Sequence, residues 1–294
     1  MEYLQVDELP ELRKPTFIAA FRGWNDAGEA ASFAVRHLID SWSAKQFAAI
    51  DSEEFFDFTV SRPMIRITEE GQRDLKWPSN RFFYHRHEDD DSGNDVVLLL
   101  GTEPHLKWRA FTESIRDLYR RVDGQRLLTL GALVAATTHT RPPPVTGFST
   151  EPDLQQRLEG LTIGRSRYEG PTGIVGALHD AWRRDDLPAA SLWVGLPPYL
   201  GEAVNPRGAL ALLQEMDKLF AFAPELSKLE EACQAFEKQV DEALAGNAEM
   251  RAYLEQLEKR IDSGITGAAT PDLPPAGDLM SDLETYLKQQ RKGS

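Results

Sequence analysis

The feature that most constrains this chain is a set of five short, unbroken apolar runs with helix-like segments between most of them. The runs are residues 16–21 (TFIAAF), 46–50 (QFAAI), 96–100 (VVLLL), 127–133 (LLTLGAL) and 191–196 (SLWVGL). Apolar residues follow one another in these runs instead of alternating with polar ones, the pattern of strands covered on both faces. The alanines of the second run would also suit a helix. Over residues 27–42, Ala31, Val35, Leu38 and Trp42 fall on one helical face, and Phe111, Ile115 and Leu118 do the same further on. Residues 172–182 and 206–220 read as further helices. The order strand, helix, strand predicts an α/β fold whose parallel sheet has helices on both sides. Residues 55–60, 64–68 and 81–87 read as additional strands, some of them antiparallel.

Past Pro224 the pattern changes. Leu226, Leu229, Cys233, Phe236, Val240 and Leu244 recur at spacings of three and four, Gly246-Asn247 interrupts, and Met250, Leu254, Leu257 and Ile261 resume the stripe. This predicts an αα-hairpin with arms of about 20 residues, each roughly 30 Å long. Residues 263–277 (SGITGAATPDLPPAG) read as a flexible linker. Leu279, Leu283, Tyr286 and Leu287 then make a short amphipathic helix, with Ser281 and Glu284 as a candidate capping box. The expected organisation is a core over residues 1–223, a hairpin over 224–262, and a linker with a tail helix over 263–294.

Charge narrows the partners. The net charge of the 294 residues is −14 and no Lys/Arg cluster stands out, which argues against nucleic acid and against an anionic membrane surface. One cysteine, Cys233, rules out an intramolecular disulfide and a thiolate-built zinc site. The opening residues lack a basic, then apolar, leader pattern. No apolar run is long enough to span a bilayer. The expected location is the cytoplasm, and neither a metal nor a cofactor is expected.

Six segments resemble the PAC2 family, especially its actinobacterial members. They are residues 17–38 (FIAAFRGWNDAGEAASFAVRHL), 54–63 (EFFDFTVSRP), 76–78 (KWP), 98–111 (LLLGTEPHLKWRAF), 168–178 (YEGPTGIVGAL) and 191–200 (SLWVGLPPYL). The resemblance implies a three-layer α/β/α core of the phosphorylase/hydrolase-like kind, with the helical hairpin as an addition to it. It also implies assembly into oligomers, a trimer among the options. Because eukaryotic relatives act as proteasome assembly chaperones, it implies protein partners, proteasome subunits among them. The alternative is an enzyme or small-molecule binder that uses a nucleoside-phosphorylase-like cleft.

Ligands of open α/β sheets bind beyond the carboxyl ends of the strands. On that rule Trp24, Asn25, Asp26, Thr102, Glu103, Tyr168, Glu169, Thr172 and Tyr199 are candidate ligand-binding residues lining one cleft. Each also has a purely structural reading. Asn25 and Asp26 could cap a helix, Trp24 could be a core or rim aromatic, and Glu103 and Glu169 could complement a helix dipole instead of sharing acid–base work. Gly170 and Gly173 could admit a phosphate or merely allow close packing. Arg141 could reach the cleft or sit in a rigid proline loop. His85 and His87, followed by Asp89 to Asp91, could mark a surface metal site or a solvated acidic loop. Cys233 falls on the apolar stripe of the hairpin and reads as an inert packing residue. No catalytic nucleophile has a visible signature, and an enzymatic role is not the leading expectation.

Overall fold

The computed structural model describes residues 3–87, 95–166, 168–200, 203–245 and 247–263. The expected tail helix, the Asp89 to Asp91 run and Gly246 lie outside the described residues. The chain order is β1 (Leu4–Val6), β2 (Thr16–Arg22), α1 (Ala30–Ser41), β3 (Lys45–Ile50), β4 (Met64–Ile67), β5 (Arg73–Lys76), β6 (Asn80–His85), β7 (Val96–Thr102) and α2 (Trp108–Arg121). There follow β8 (Arg126–Val134), β9 (Val145–Ser149), α3 (Pro152–Gly160), α4 (Ile174–Arg184), β10 (Ala189–Leu196), α5 (Pro206–Phe220), α6 (Ser227–Ala245) and α7 (Ala248–Asp262).

All five apolar runs are strands of one eight-stranded sheet, in the order β1-β3-β6-β7-β2-β8-β10-β9. Its centre is parallel: β7, β2, β8 and β10 run together, with Thr16 opposite both Val96 and Arg126. Its flanks are antiparallel, through β6 and β3 on one side and β9 on the other. Strand β2 alternates which layer it feeds. Ile18 and Ala20 pack with α1, α3 and α5, whereas Phe17, Ala19 and Phe21 pack with α2 and α4. Both sides are apolar because both are covered, so β2 reads as an uninterrupted run. The result is the three-layer α/β/α arrangement.

One expected strand is absent. Residues 55–60 form turns, held by bonds such as Phe55 N to Ser52 O at 3.1 Å. Phe55 and Phe56 are nevertheless buried, Phe55 against Phe111 and Tyr3, so the apolar run records burial and not strand geometry. Strands β1, β5 and β9 and helix α3 are short or polar, and they left no periodic signal of their own.

Strands β4 and β5 pair only with each other, as a two-stranded ribbon outside the main sheet. Every residue of β4 is exposed. We refer to this ribbon as the arm.

Helices α6 and α7 join a third cluster, in which Phe236, Val240, Leu244, Met250, Tyr253 and Leu257 close over Tyr199 and Leu200. Asn247 Oδ1 caps α7 by accepting from Met250 N at 2.9 Å. Around this apolar contact the hairpin grips the loop after β8. His139 Nε2 lies 3.1 Å from Asp241, Arg141 is 2.9 Å from Asp262, and Arg207 bridges Glu237 at 2.6 Å and the Arg141 carbonyl at 3.2 Å. Cys233 is buried, and burial pushes its thiol up to about 12. A packing residue is what the sequence led us to expect there.

Leu257→Ala removes a buried contact in this third cluster, a change that costs about 2–5 kcal/mol in well-packed sites. Hydrogen exchange on the variant should show faster exchange throughout α6 and α7, with β2, β7 and β8 still protected.

Candidate functional site

The carboxyl ends of β2 and β8 diverge around a cleft of about 1050 Å³. One wall is the turn after β2, including Trp24, Asn25 and Asp26. The opposite wall comes from Leu133 and Val134 of β8 and Trp193 of β10. Tyr168 and Thr172 cover a third side.

The turn after β2 is held from behind by Glu103, at the end of β7. Glu103 Oε1 accepts from Asn25 Nδ2 at 2.8 Å and from the backbone N–H of Ile174, the first residue of α4, at 2.7 Å. Its Oε2 accepts from Trp24 N at 3.3 Å. One carboxylate thus ties the β2 turn, the β7 end and the α4 N-terminus, where its negative charge also suits the helix dipole. Asn25 is buried by this arrangement, and its own carbonyl accepts from Ala132 N at 2.9 Å. Gly173 makes the knot possible, because a Cβ there would stand 2.4 Å from Asn25 Nδ2 and 2.5 Å from Glu103 Oε1. Among the two readings of Gly173, close packing has direct geometric support.

Asp26 is engaged with α1. Its Oδ1 accepts from Ala31 N at 2.7 Å, and both its oxygens lie 3.3 Å from Ser32 N. The capping bonds favour the ionised carboxylate, but burial outweighs them and raises the acid from 3.8 to about 6. Asp26 is the one candidate that both lines the cleft and has a perturbed acidity.

The remaining candidates separate. Trp24 and Tyr168 are exposed at the cleft mouth, 61% and 64% respectively. Thr172 lines the cleft and is exposed. Glu169 is exposed, while Glu103 is committed to Asn25 and Ile174, so the two do not act as a bonded carboxylate pair. Thr102 lies at the end of β7, its backbone N–H held by Asn80 Oδ1 at 3.1 Å, and is not among the cleft-lining residues. Tyr199 departs most from expectation. The short helical turn after Pro197 carries it under the hairpin, where its hydroxyl accepts from His139 N at 2.7 Å and lies 2.6 Å from His139 Nδ1. Arg141 likewise serves the hairpin and not the cleft. His85 and His87 do share a side, but there they pack on Trp42, His85 stacked at 5.1 Å and His87 edge-on at 5.4 Å.

Arg22, Leu133, Val134, Thr146, Ser166 and Trp193 line the cleft without having been expected to. Leu133 ends an apolar run and Trp193 sits inside one. Nothing in such a run says where the covering helices stop.

A model of the PAC2 family matches residues 20–244. The chain belongs to the PAC2 family. A PAC2 family protein from Streptomyces avermitilis is 37% identical, covering 83% of this chain and 99% of its own, with a TM-score of 0.74. A proteasome-assembly chaperone homologue from Mycobacterium tuberculosis is 36% identical, covering 81% of this chain and 99% of its own, with a TM-score of 0.71. An archaeal proteasome activator from Pyrococcus furiosus shares the fold at 21% identity, covering 82% and 99%, with a TM-score of 0.66. No curated protein matches the sequence. In this PAC2 protein the match begins inside β2 and ends inside α6, so it takes in the cleft, the arm and the first arm of the hairpin.

Two outcomes follow from the knot and the cap. Gly173→Ala should destabilise the protein by about 1–3 kcal/mol, the usual cost of forcing a methyl into a packed site, read as a lower urea midpoint. For Asp26 the raised acidity stabilises the fold below pH 3.8, and that contribution is lost as pH rises through about 6. Urea titrations should therefore show the unaltered protein losing ground to Asp26→Asn as pH rises across that window.

Proposed function

We propose that this chain is a non-enzymatic interaction protein of the PAC2 family. It acts in the cytoplasm as a homo-oligomer and binds protein partners, proteasome subunits foremost. The observation that carries the reading is the distribution of its apolar surface. Apart from Leu9 and Leu106, the exposed large apolar side chains among the described residues fall into two patches. One is the cleft mouth, with Trp24, Leu133, Val134 and Tyr168, and the other is the arm with its base. Contiguous exposed apolar surface of this kind marks protein-contact sites in soluble proteins. Two carboxylates suited to acid–base work, Glu103 and Asp26, are engaged in holding helix starts. The 36% identity to a proteasome-assembly chaperone homologue supports the choice of partner.

We further propose residues 1–223 as the core and 224–262 as a hairpin added to it. A second function remains attached to one observation: Asp26, raised to about 6, lines a cleft large enough for a small molecule.

A cross-linked pull-down from the source cells, read by mass spectrometry, tests the leading function. The full chain should capture proteasome subunits, and comparison with a chain ending at Asp262 assigns the contact to the tail or to the body. Absence of proteasome subunits from both captures overturns the proteasome reading. Retention of one metabolite by the protein, lost in Asp26→Asn, would move the function to the cleft.

A further inference from the structure

We propose that the tail of this same chain covers the mouth of the cleft, laying the stripe of Leu279, Leu283, Tyr286 and Leu287 on Trp24, Leu133, Val134 and Tyr168. This goes beyond the function proposed above and does not rest on it.

The point from which the tail departs comes first. Helix α7 ends at Asp262, and Asp262 is 2.9 Å from Arg141. Arg141 belongs to the loop that joins β8 to β9, which leaves the cleft at Val134 and returns to it at Thr146. Residues 263–278 therefore start at the cleft end of the sheet. Val134 is seven residues from Arg141, a span of at most about 25 Å. The sixteen residues 263–278 have a root-mean-square reach of about 20–24 Å as a coil and about 50 Å when extended. A tether of that length holds the stripe near the mouth at an effective concentration on the order of millimolar. The other exposed apolar patch, the arm, leaves from β3, which lies four strands beyond β8. That is about 19 Å further across the sheet, so reach selects the mouth.

The two surfaces also suit each other chemically. Val134 is 61% exposed, and with Leu133 and the rings of Trp24 and Tyr168 it leaves an apolar rim open to water. Leu279, Leu283, Tyr286 and Leu287 stand at i, i+4, i+7 and i+8, one face of a helix. A helix from Leu279 to Leu287 is about 12 Å long, too short to hold in water by itself. Each surface supplies the cover that the other lacks.

Charge adds to the fit. Glu169, next to Tyr168, is exposed and makes no ion pair among the described residues. Lys288, Arg291 and Lys292 follow the apolar stripe of the tail and bring three positive charges to that rim. A protein that uses the mouth must first displace the tail, so the tail sets how readily this patch is offered to a partner.

Disulfide trapping tests the placement, because the one natural cysteine is buried. The full chain with Val134→Cys/Leu283→Cys, oxidised when dilute, should close the bond within one chain, read on a non-reducing gel as a faster-migrating monomer. Ile67→Cys/Leu283→Cys, which offers the arm instead, should close at least about tenfold more slowly. In the full chain, Leu283→Asp/Leu287→Asp should quicken amide exchange over residues 168–172 by at least about tenfold, with β2, β7 and β8 as protected as before. Disulfide-linked dimers in place of the intrachain bond, equal closure at arm and mouth, or exchange at the mouth unaltered by the double variant would each overturn the proposal. None of these measurements involves a proteasome subunit, so their failure is distinct from failure of the function proposed above.

Discussion

Double-sided burial of β2 is the constraint on which the rest of this protein depends. A strand flanked by parallel neighbours, with Phe17 and Phe21 toward one layer and Ile18 and Ala20 toward the other, must be sealed by helices above and below. That requirement brings α1 and α5 to one face and α2 and α4 to the other. It also means that β2 ends where its helices begin. The chain must turn sharply after Arg22, and the unsatisfied amide groups of that turn and of the adjoining helix starts need partners. Asp26 and Glu103 provide them. The cleft is therefore a by-product of how a buried parallel strand is brought to an end, and its walls are set by the same contacts that stabilise the core.

This dependence explains how much could be read from the chain alone. Unbroken apolar runs revealed the central strands, because burial on two faces leaves no polar positions to confuse the pattern. The hairpin was visible for a related reason, since Leu229, Cys233, Phe236 and Val240 are buried at helical spacing along α6. Phe55 and Phe56 misled because burial alone does not distinguish a turn from a strand. Strands β1 and β5 escaped notice because three or four residues are too few to establish a period.

The candidate site was legible in part for a different reason. Trp24, Asn25, Asp26, Tyr168 and Thr172 were found from a rule about where strand ends lead, and that rule places residues near a cleft without saying which way they face. Tyr199 obeyed the rule in sequence and failed it in space, since the short turn after Pro197 sends its ring beneath α7. Glu103 shows the converse. It was noticed as a possible acid, and its contacts reveal a tie among three elements separated in sequence, which no local pattern could announce.

The two ends of the sheet carry a consequence for how these molecules can meet. Strand β1 has only three residues, and β9 is a five-residue strand that follows the run Pro142-Pro143-Pro144. A three-residue margin on one side and a short one entered through proline on the other offer few open amide groups for a neighbouring sheet to continue. Growth by joining one sheet to another, the route toward fibres, is thereby discouraged at both margins. Any contact between copies would then fall at the ends of the strands, where side chains and not backbone decide which surfaces recognise each other.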